Sequence, residues 1–320
     1  MASVPLFLGF QRAPNTQSLT DGAVRPKGID LSVQTQFAEG YDNVGARHRG
    51  IIEGKLDGGE LSISSFILAR LRGLPLRAFP VFLSRRFRHR CMYFPVNSPL
   101  RDPSELAGKK VTVHRYNATT PVWLKGILQN EYGVKPQSVE WHVAEPDIAE
   151  ESLHPPPPDI RVRFIPAPRT REHAIEMLER EELDAALEPY DVLSANSKLR
   201  RIFADHHKVE AEFFRRTGAF PINHLLVLRE DFVDAHPWIV ESLLNAFRQA
   251  ESAADSYRSE KQKEEAAWER SVMGEPFAYS LKKGPARRSL ATLIDYQIQQ
   301  GLLDRRPDIE SLFFPQTLDV

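Results

Sequence analysis

Short apolar runs separated by polar turns recur along the chain, and most of them have the length of a strand. Residues 5–10, the alternating stretch 29–37 and residues 61–65 are the first three. Alternation with period two, bounded by Gly, Pro and Asp, is typical of strands. Further apolar runs predict strands at 79–83, 111–113, 139–143, 162–165, 183–187 and 225–228.

Segments with helical spacing of apolar residues lie between these strands, and they predict helices at 42–53, 66–71, 121–130, 170–180, 236–247 and 287–300. The alternation of strands and helices predicts an α/β protein. We interpret segment 42–53 as a polar surface helix, capped by Asp42, in which His48 has no special role. The irregular stretch 145–159 holds four consecutive prolines and cannot form a helix or a central strand.

A cluster of positive charge follows the predicted buried strand 79–83. Arg85, Arg86, Arg88, His89 and Arg90 stand between two apolar runs. These groups cannot all be buried without partners, because unpaired buried charge costs several kcal/mol. The cluster is therefore either a solvated turn or the mouth of a site that binds an anion, and the pattern alone leaves both alternatives open.

The overall charge gives no general attraction for nucleic acid or membrane. The chain has 320 residues, 42 of them basic and 43 acidic, for a formal net charge of −1. Its one cysteine, Cys91, excludes an internal disulfide and suits a reducing compartment. The first residues lack the basic region of an export signal, and no apolar stretch reaches the length of a membrane span. We expect a cytoplasmic protein without nucleic-acid or membrane partners.

Two predicted helices begin with hydroxyl side chains. Ser64 and Ser65 precede one helix, and Thr119 and Thr120 precede another. Free N–H groups at a helix start attract carboxylate or phosphate, so these residues are candidate ligand contacts. Ordinary capping explains the same residues.

Common cofactor-binding and metal-binding motifs are missing from the sequence. It contains no glycine fingerprint for nucleotides, no HExxH and no closely spaced Cys/His set. We therefore expect no metal and no cofactor. Glu188 ends the predicted strand 183–187, at a position where ligand-binding lobes present residues to a ligand.

Four stretches carry a resemblance to a known family. They are LSISSFILARLRGLPLRAFPVFLSRRFRHRCMYF (61–94), VTVHRYNATTPVWLKGILQNEYGV (111–134), RRTGAFPINHLLVL (215–228) and HPWIVESLLNAF (236–247). Together they resemble the 4,5-dihydroxyphthalate decarboxylase family. That family is similar in fold to type 2 periplasmic binding proteins, which have two α/β lobes with a ligand cleft between them.

Strand–helix alternation on both sides of a middle segment predicts a discontinuous domain arrangement. We expect lobe one to comprise residues 1–100 plus 221–320 and lobe two to comprise residues 101–220, with crossings near 94–110 and 215–225. One departure from the family is the pair Gly58 and Gly59, which stands where a more apolar strand is expected.

The resemblance also implies an activity. It is the decarboxylation, without a cofactor, of a hydroxylated aromatic acid, such as 4,5-dihydroxyphthalate to protocatechuate. A ring hydroxyl pushes electron density onto the carbon that bears the carboxylate, an acid protonates that carbon, and CO2 leaves. The implied partner is a small aromatic carboxylate, and a homo-oligomer stays an open alternative.

The residue types on the matching motifs suggest which residues bind the substrate and which transfer protons. Arginine suits carboxylates, and histidine suits proton transfer near pH 7. We predict His89 and His224 as the catalytic pair, although each can equally be a satisfied core or hinge residue. The predicted substrate-binding residues are Arg85, Arg88, Ser64, Ser65, Arg115, Tyr116, Thr119, Thr120 and Glu188.

Two other functions fit the same fold. One is a non-catalytic solute-binding protein, against which the missing export signal argues. The other is a relative that makes the thiamine pyrimidine, which would need an iron site rich in histidine and cysteine. A single cysteine supports that site poorly, and fold alone does not decide among the three.

Overall fold

The computed structural model describes residues 3–36, 43–145, 155–274, 279–282 and 284–319. Contacts within the chain divide it into two compact units. Unit 1 comprises Met1–Arg85, Ile222–Leu290 and Pro307–Val320, and unit 2 comprises Arg86–Pro221 and Ala291–Arg306. Each unit has its own mixed β-sheet with helices.

The strands, in chain order, are β1 (Val4–Gly9), β2 (Ile29–Gln34), β3 (Gly58–Ser62), β4 (Leu76–Ala78), β5 (Ser84–Arg85), β6 (Met92–Pro95), β7 (Lys110–Val113), β8 (Glu140–Val143), β9 (Arg161–Phe164), β10 (Ala185–Leu187), β11 (Leu199–Arg201) and β12 (Ile222–Arg229).

The helices are α1 (Gln17–Thr20), α2 (Asn43–Ile52), α3 (Ile63–Leu71), α4 (Thr119–Tyr132), α5 (Arg171–Glu179), α6 (His206–Thr217), α7 (Glu230–Ala235), α8 (Ile239–Ser252), α9 (Glu260–Met273) and α10 (Ala286–Gln299). Among the helices in the described part of the chain, none combines the length and apolar character of a membrane span.

The sheet of unit 1 has the strand order β2-β1-β3-β12-β4, and β5 also pairs with β12. Strand β1 runs parallel to β2 and β3, whereas β12 runs antiparallel to β3, β4 and β5. The carboxyl ends of β1 and β3 therefore lie at the same edge as the beginning of β12. This edge carries Gln11, Ser62 and His224.

The sheet of unit 2 has the order β11-β6-β10-β7-β8-β9. Strands β7 to β10 are parallel, and β6 is antiparallel to both β10 and β11. Because Leu187 pairs with both Val113 and Met92, the ends of β10 and β7 lie beside the start of β6. In open α/β sheets such an edge is where ligands bind.

Most predicted elements are present. Residues 63–65, predicted as the end of a strand, instead form the first turn of α3. Residues 79–83 are buried as expected, but they form an irregular link between β4 and β5 rather than a strand. The predicted helix 42–53 is α2, and its proposed cap Asp42 lies outside the described residues. The predicted lobe boundaries lie at 100/101 and 220/221, whereas the chain passes between the two units at 85/86, 221/222, 290/291 and 306/307. Strand β6 belongs to unit 2 because it pairs with β10 and β11.

The glycine pair of β3 has a geometric cause. Gly59 has a φ of 146°, and a Cβ at this position would overlap the backbone of Gly9 in β1. A Cβ on Gly58 would overlap the carbonyl oxygen of Val227 in β12. Both neighbouring backbones approach β3 too closely for a side chain, so only glycine fits. The pair thus holds the next residue, Glu60, inside the sheet.

We expect Gly59→Ala to lower the free energy of unfolding by about 1–3 kcal/mol or more, since it combines an unfavourable φ with overpacking. Urea denaturation measures this loss. Gly73→Ala is a matched control, because Gly73 also has a positive φ of 84° but a Cβ added there would meet no atom within 4 Å. Equal stability of the two variants would show that the close approach of β1 and β3 does not make Gly59 necessary for stability.

Candidate functional site

A carboxylate and a histidine are paired inside the sheet of unit 1. Glu60 on β3 is 2% exposed, and its Oε1 lies 2.6 Å from Nδ1 of His224 on β12. In the antiparallel register His224 faces Ser62, and Leu226 faces Glu60. The two side chains are therefore diagonal neighbours on one face of the sheet, a position from which long side chains meet.

Three further donors surround the Glu60 carboxylate and its backbone. The Gln11 N–H donates to Oε2 at 2.9 Å, and the Arg47 guanidinium lies 3.5 Å from the same oxygen. Arg47 also donates from Nε to the Glu60 carbonyl at 3.1 Å. Burial opposes ionisation, but the charge of Arg47 and the hydrogen bond with His224 outweigh it and lower the pKa of Glu60 to about 2. Glu60 is consequently ionised at neutral pH.

This carboxylate fixes the orientation of His224. An ionised carboxylate only accepts hydrogen bonds, so Nδ1 of His224 must carry the proton. The other ring nitrogen, Nε2, is then a proton acceptor in the neutral ring and a donor in the imidazolium. The His224 side chain is 13% exposed, so it is not sealed in the core. Such a pair is suited to proton transfer.

A second histidine lies beside this pair. Nε2 of His48 accepts the Ser62 N–H at 3.3 Å, and its ring meets that of His224 edge-on with centroids 5.6 Å apart. Arg47 is 0% exposed and His48 is 2% exposed. The interpretation of α2 as a surface helix in which His48 has no special role is therefore wrong for this face, because both side chains point into the sheet.

The remaining predicted residues of unit 1 have different surroundings. Ser64 and Ser65 are buried in the first turn of α3. Arg85 donates to the Phe82 carbonyl at 2.6 Å and pairs with Glu251 at 2.7 Å. Although burial opposes it, this pairing with Glu251 raises the pKa of Arg85. Its charge is already neutralised within unit 1, and its predicted role in substrate binding stays a prediction.

In unit 2, Arg88 is a buried cation. It is 3% exposed, and its NH1 group donates to the carbonyl of Pro189 at 3.1 Å. Within the described segments no carboxylate pairs with it, and its Nε has no hydrogen-bond partner. Burial lowers the pKa of Arg88 to about 10, which still leaves it protonated at neutral pH. A buried charge of this kind is costly unless an anion approaches it.

Glu188 follows β10 and is fully buried. Its Oε2 lies 3.0 Å from Nε of Arg171, the first residue of α5. Burial nevertheless raises the pKa of Glu188 to about 8, because removal of the carboxylate from water outweighs the attraction of Arg171. Most Glu188 side chains are therefore protonated at neutral pH, and the group is a candidate acid or hydrogen-bond donor.

Four more predicted residues line the start of α4. Arg115 and Tyr116 follow β7, and Arg115 pairs with Glu145 at 2.9 Å. Thr119 and Thr120 are buried in the first turn of α4. Lys125, also on α4, donates to the Tyr116 carbonyl at 2.8 Å and lies 3.3 Å from the centre of its ring.

His89 has an apolar environment. It is 0% exposed, with ring centroids 5.7 Å from Phe203 and 5.1 Å from Phe213, and neither ring nitrogen has a hydrogen-bond partner among the described residues. Burial lowers the pKa of His89 to about 3. This environment favours the neutral ring, whereas a proton donor must be an imidazolium. The catalytic role of His89 stays a prediction.

Sequence reasoning missed several residues of these two clusters. They are Glu60, Arg47, Arg171 and Lys125. A charged residue directly after two strand glycines was the only signal for Glu60, and no local pattern marked the other three. Among the residues that the structure describes, no three His, Cys, Asp or Glu side chains are grouped as metal ligands.

Curated relatives agree on one name. A 4,5-dihydroxyphthalate decarboxylase from Comamonas testosteroni is 28% identical over 263 residues, which is 79% of this chain and 77% of that protein. A second protein of that name, from Pseudomonas putida, is 31% identical over 175 residues, covering 53% of this chain and 65% of its own. The chain is a homologue of the 4,5-dihydroxyphthalate decarboxylases. The predicted resemblance is thereby confirmed, although no family model matches.

Solved structures establish the fold. The periplasmic aliphatic sulphonate binding protein SsuA from Escherichia coli superposes with a TM-score of 0.58 at 13% identity, over 99% of each chain. The desulfurization enzyme DszB superposes with a TM-score of 0.53 at 14% identity, over 99% of this chain and 98% of that one. The predicted periplasmic-binding-protein-like α/β fold of this homologue is confirmed. Because the fold occurs in a binding protein and in an enzyme, it does not decide the activity.

The raised pKa of Glu188 predicts a pH dependence of stability. The folded state holds this proton up to about pH 8, whereas an ordinary glutamate releases it near 4.5. Between these values the unfolded state binds fewer protons, so the free energy of unfolding should decrease as pH rises, by up to about 1.4 kcal/mol per pH unit. Glu188→Gln should remove this slope.

Urea denaturation between pH 5 and pH 8 measures this slope in wild type and variant. Glu182→Gln changes an exposed glutamate of the same unit and should leave the wild-type profile unaltered. Parallel profiles for wild type and Glu188→Gln would mean that the buried carboxyl is ionised throughout this range.

Proposed function

We propose that this chain decarboxylates a hydroxylated aromatic acid, with 4,5-dihydroxyphthalate as the first candidate substrate and protocatechuate as its product. Homology to proteins of that name, which covers 79% of the chain for one of them, supports the proposal. The structural observation that carries it is the Glu60–His224 pair, a histidine whose Nδ1 proton is held by a buried carboxylate.

The chemistry requires two proton movements and no electron sink. In 4,5-dihydroxyphthalate each carboxylate has a hydroxyl in the para position. Removal of the phenolic proton drives electron density onto the carbon that bears the carboxylate, and a proton adds there. The bond to the carboxylate then breaks, CO2 leaves, and the bonding electrons restore the aromatic ring. Decarboxylation of this type needs a base, an acid and groups that hold the anion.

In this proposal His224 is the proton-transfer residue. Its neutral Nε2 accepts the phenolic proton, and the imidazolium that forms is stabilised by the adjacent Glu60 carboxylate. The ring carbon that is protonated lies across the ring from the phenolic oxygen, so its proton comes from a separate acid. Glu60 acts as a positioning residue, because it touches His224 and sets the tautomer.

The other predicted residues keep proposed binding roles. Arg88 and Arg115 suit a carboxylate, Tyr116, Thr119 and Thr120 suit a phenol or carboxylate, and Glu188 offers a protonated carboxyl. A cytoplasmic location is part of the same proposal, since the one cysteine, Cys91, fits a reducing compartment.

A substrate panel tests the activity. The purified protein is incubated in D2O with 4,5-dihydroxyphthalate, with phthalate, which lacks hydroxyls, and with protocatechuate. We expect CO2 release from 4,5-dihydroxyphthalate and little from phthalate, because only the hydroxylated ring stabilises the protonated intermediate. The aromatic product should carry one deuterium at the carbon that lost the carboxylate, which mass spectrometry and NMR detect.

A binding function gives a different outcome. If 4,5-dihydroxyphthalate binds tightly but no CO2 is released, the chain is a binding protein and the proposed reaction is wrong. Product without deuterium at that ring carbon would exclude protonation by the proposed route.

Variants of the pair test the mechanism. His224→Ala should lower kcat on the order of 10²–10⁴-fold, the usual contribution of a general acid–base group. Glu60→Gln keeps the size of the side chain but loses its charge. It should lower kcat with little change in KM, because a neutral amide no longer requires the His224 proton to stay on Nδ1. His236→Ala removes another histidine of unit 1, at the end of α7, and serves as the control.

Measurement of kcat and KM separately distinguishes a positioning role from a structural one. A Glu60→Gln variant with wild-type kcat would remove Glu60 from the mechanism. Wild-type turnover by His224→Ala would place the group that accepts the phenolic proton elsewhere.

A further inference from the structure

Charged groups of unit 2 converge at the edge of its sheet where β7 and β10 end and β6 begins. Burial lowers the pKa of His114 there, and so do three nearby guanidinium groups, those of Arg115, Arg171 and Arg88. The Arg115 charge is balanced by Glu145 at 2.9 Å. Arg171 pairs with the carboxyl group of Glu188, whereas Arg88 has no carboxylate partner among the described residues.

Two hydrogen bonds to backbone carbonyls link the segment that carries Arg88 to the segment that carries Glu188. The Arg88 guanidinium donates to the carbonyl of Pro189, and the Glu188 N–H donates to the carbonyl of Cys91 at 2.9 Å. Segment 88–91 and residues 188–189 are thus tied together from both sides. Arg88 is 3% exposed and Glu188 is fully buried, so neither group is shielded by bulk water.

The charges in this cluster are incompletely balanced. With Glu188 ionised, Arg171 is paired and Arg88 has no anion among the described residues. With Glu188 protonated, both guanidiniums lack a negative partner. A bound carboxylate would supply the missing partner in both protonation states of Glu188, because it accepts hydrogen bonds from a guanidinium and from a protonated carboxyl. The charged and titratable groups that act on Glu188 are Arg171, Glu145 and Glu172, those that act on Arg88 are Cys91, Arg86 and Tyr190, and those that act on His114 are Arg115, Arg171 and Arg88.

An aromatic side chain lies at the same place. Tyr190 is 47% exposed, and the Arg171 guanidinium lies 5.4 Å from the centre of its ring. An exposed tyrosine beside the half-buried Arg171 offers an apolar face next to a cationic group. An aromatic ring that bears a carboxylate matches both features.

We propose that Arg88, Arg171 and Glu188 form a binding site in unit 2 for the carboxylate of an aromatic acid, and that the site takes up a proton when it is occupied. Glu188 and the ligand carboxylate would otherwise be two adjacent anions, so the bound state retains the Glu188 proton. The proposal rests on the proposed function for its class of ligand. It adds Arg171, which the sequence did not indicate, to the binding residues. The role that it gives Glu188 is to stay protonated while the ligand carboxylate is bound.

Phthalate is the probe, because it has the carboxylates but no hydroxyl and is not expected to react. Its affinity is measured by isothermal titration calorimetry from pH 6.5 to pH 9, in buffers of different ionisation enthalpy. Wild type should bind more weakly as pH rises through about 8, with net uptake of up to about one proton per phthalate near the upper end. Glu188→Gln should bind with little pH dependence and without that uptake.

Arg88→Met keeps much of the side-chain volume and removes the charge. It should weaken phthalate binding at least about 30-fold, the loss typical of a desolvated charge pair. Glu182→Gln, on the exposed surface of the same unit, should bind like wild type. Thermal unfolding checks that each variant is folded, and the proton uptake of wild type tests the proposal without any variant.

The outcomes separate this site from the proposed activity. Proton-linked phthalate binding that depends on Arg88, without decarboxylation of any hydroxylated acid, would support the site and overturn the proposed function. If the protein decarboxylates a hydroxylated acid but Arg88→Met binds phthalate as tightly as wild type, the proposed site is wrong and the proposed function stands. The same conclusion follows if wild type and Glu188→Gln take up equal numbers of protons. Absence of phthalate binding to wild type would also overturn it.

Discussion

Burial of an ionised carboxylate in the unit 1 sheet is the constraint on which the candidate chemistry depends. Glu60 keeps its charge only because Arg47, His224 and the Gln11 N–H surround it. Removal of any one donor would leave a charge short of partners in a dry sheet, which is strongly unfavourable. The carboxylate in turn determines which nitrogen of His224 is protonated. The backbone contributes as well, since Gly59 allows β1 to approach β3 closely enough to bring Gln11 to the carboxylate.

The two units show opposite electrostatic arrangements. In unit 1 the buried carboxylate is fully compensated, and its pKa is low. In unit 2 burial dominates, so the pKa of Glu188 is raised and that of Arg88 is lowered. Compensated charges stabilise a fixed geometry, whereas uncompensated ones favour a ligand that supplies the missing partner. Unit 1 therefore suits proton transfer with a fixed tautomer, and unit 2 suits recognition of an anion.

A fold shared by binding proteins and enzymes acquires its chemistry from few side chains. Similarity to SsuA and to DszB extends over almost the whole chain at 13–14% identity, so it reports architecture. The features that point towards catalysis are specific to residues: a histidine oriented by a carboxylate, and a carboxyl group that is protonated near neutral pH. Homology to the decarboxylases is consistent with both, because loss of CO2 from a hydroxylated ring needs proton transfer and anion binding.

The sequence by itself determined the α/β class, most strands and helices, and the decarboxylase resemblance, because periodicity and motifs are local properties. It also indicated His224, Arg88 and Glu188 as residues of suitable chemistry. Only the tertiary structure decided their surroundings. Glu60 and His224 are 164 positions apart and meet through antiparallel pairing of β3 with β12, and Arg47 reaches them because α2 turns that face inward. Neighbours in the basic stretch diverge for the same reason: Arg85 pairs with Glu251, Arg88 has no described anion, and His89 lies among phenylalanines. Burial and long-range pairing set the charge of each group, and neither is encoded in the local pattern.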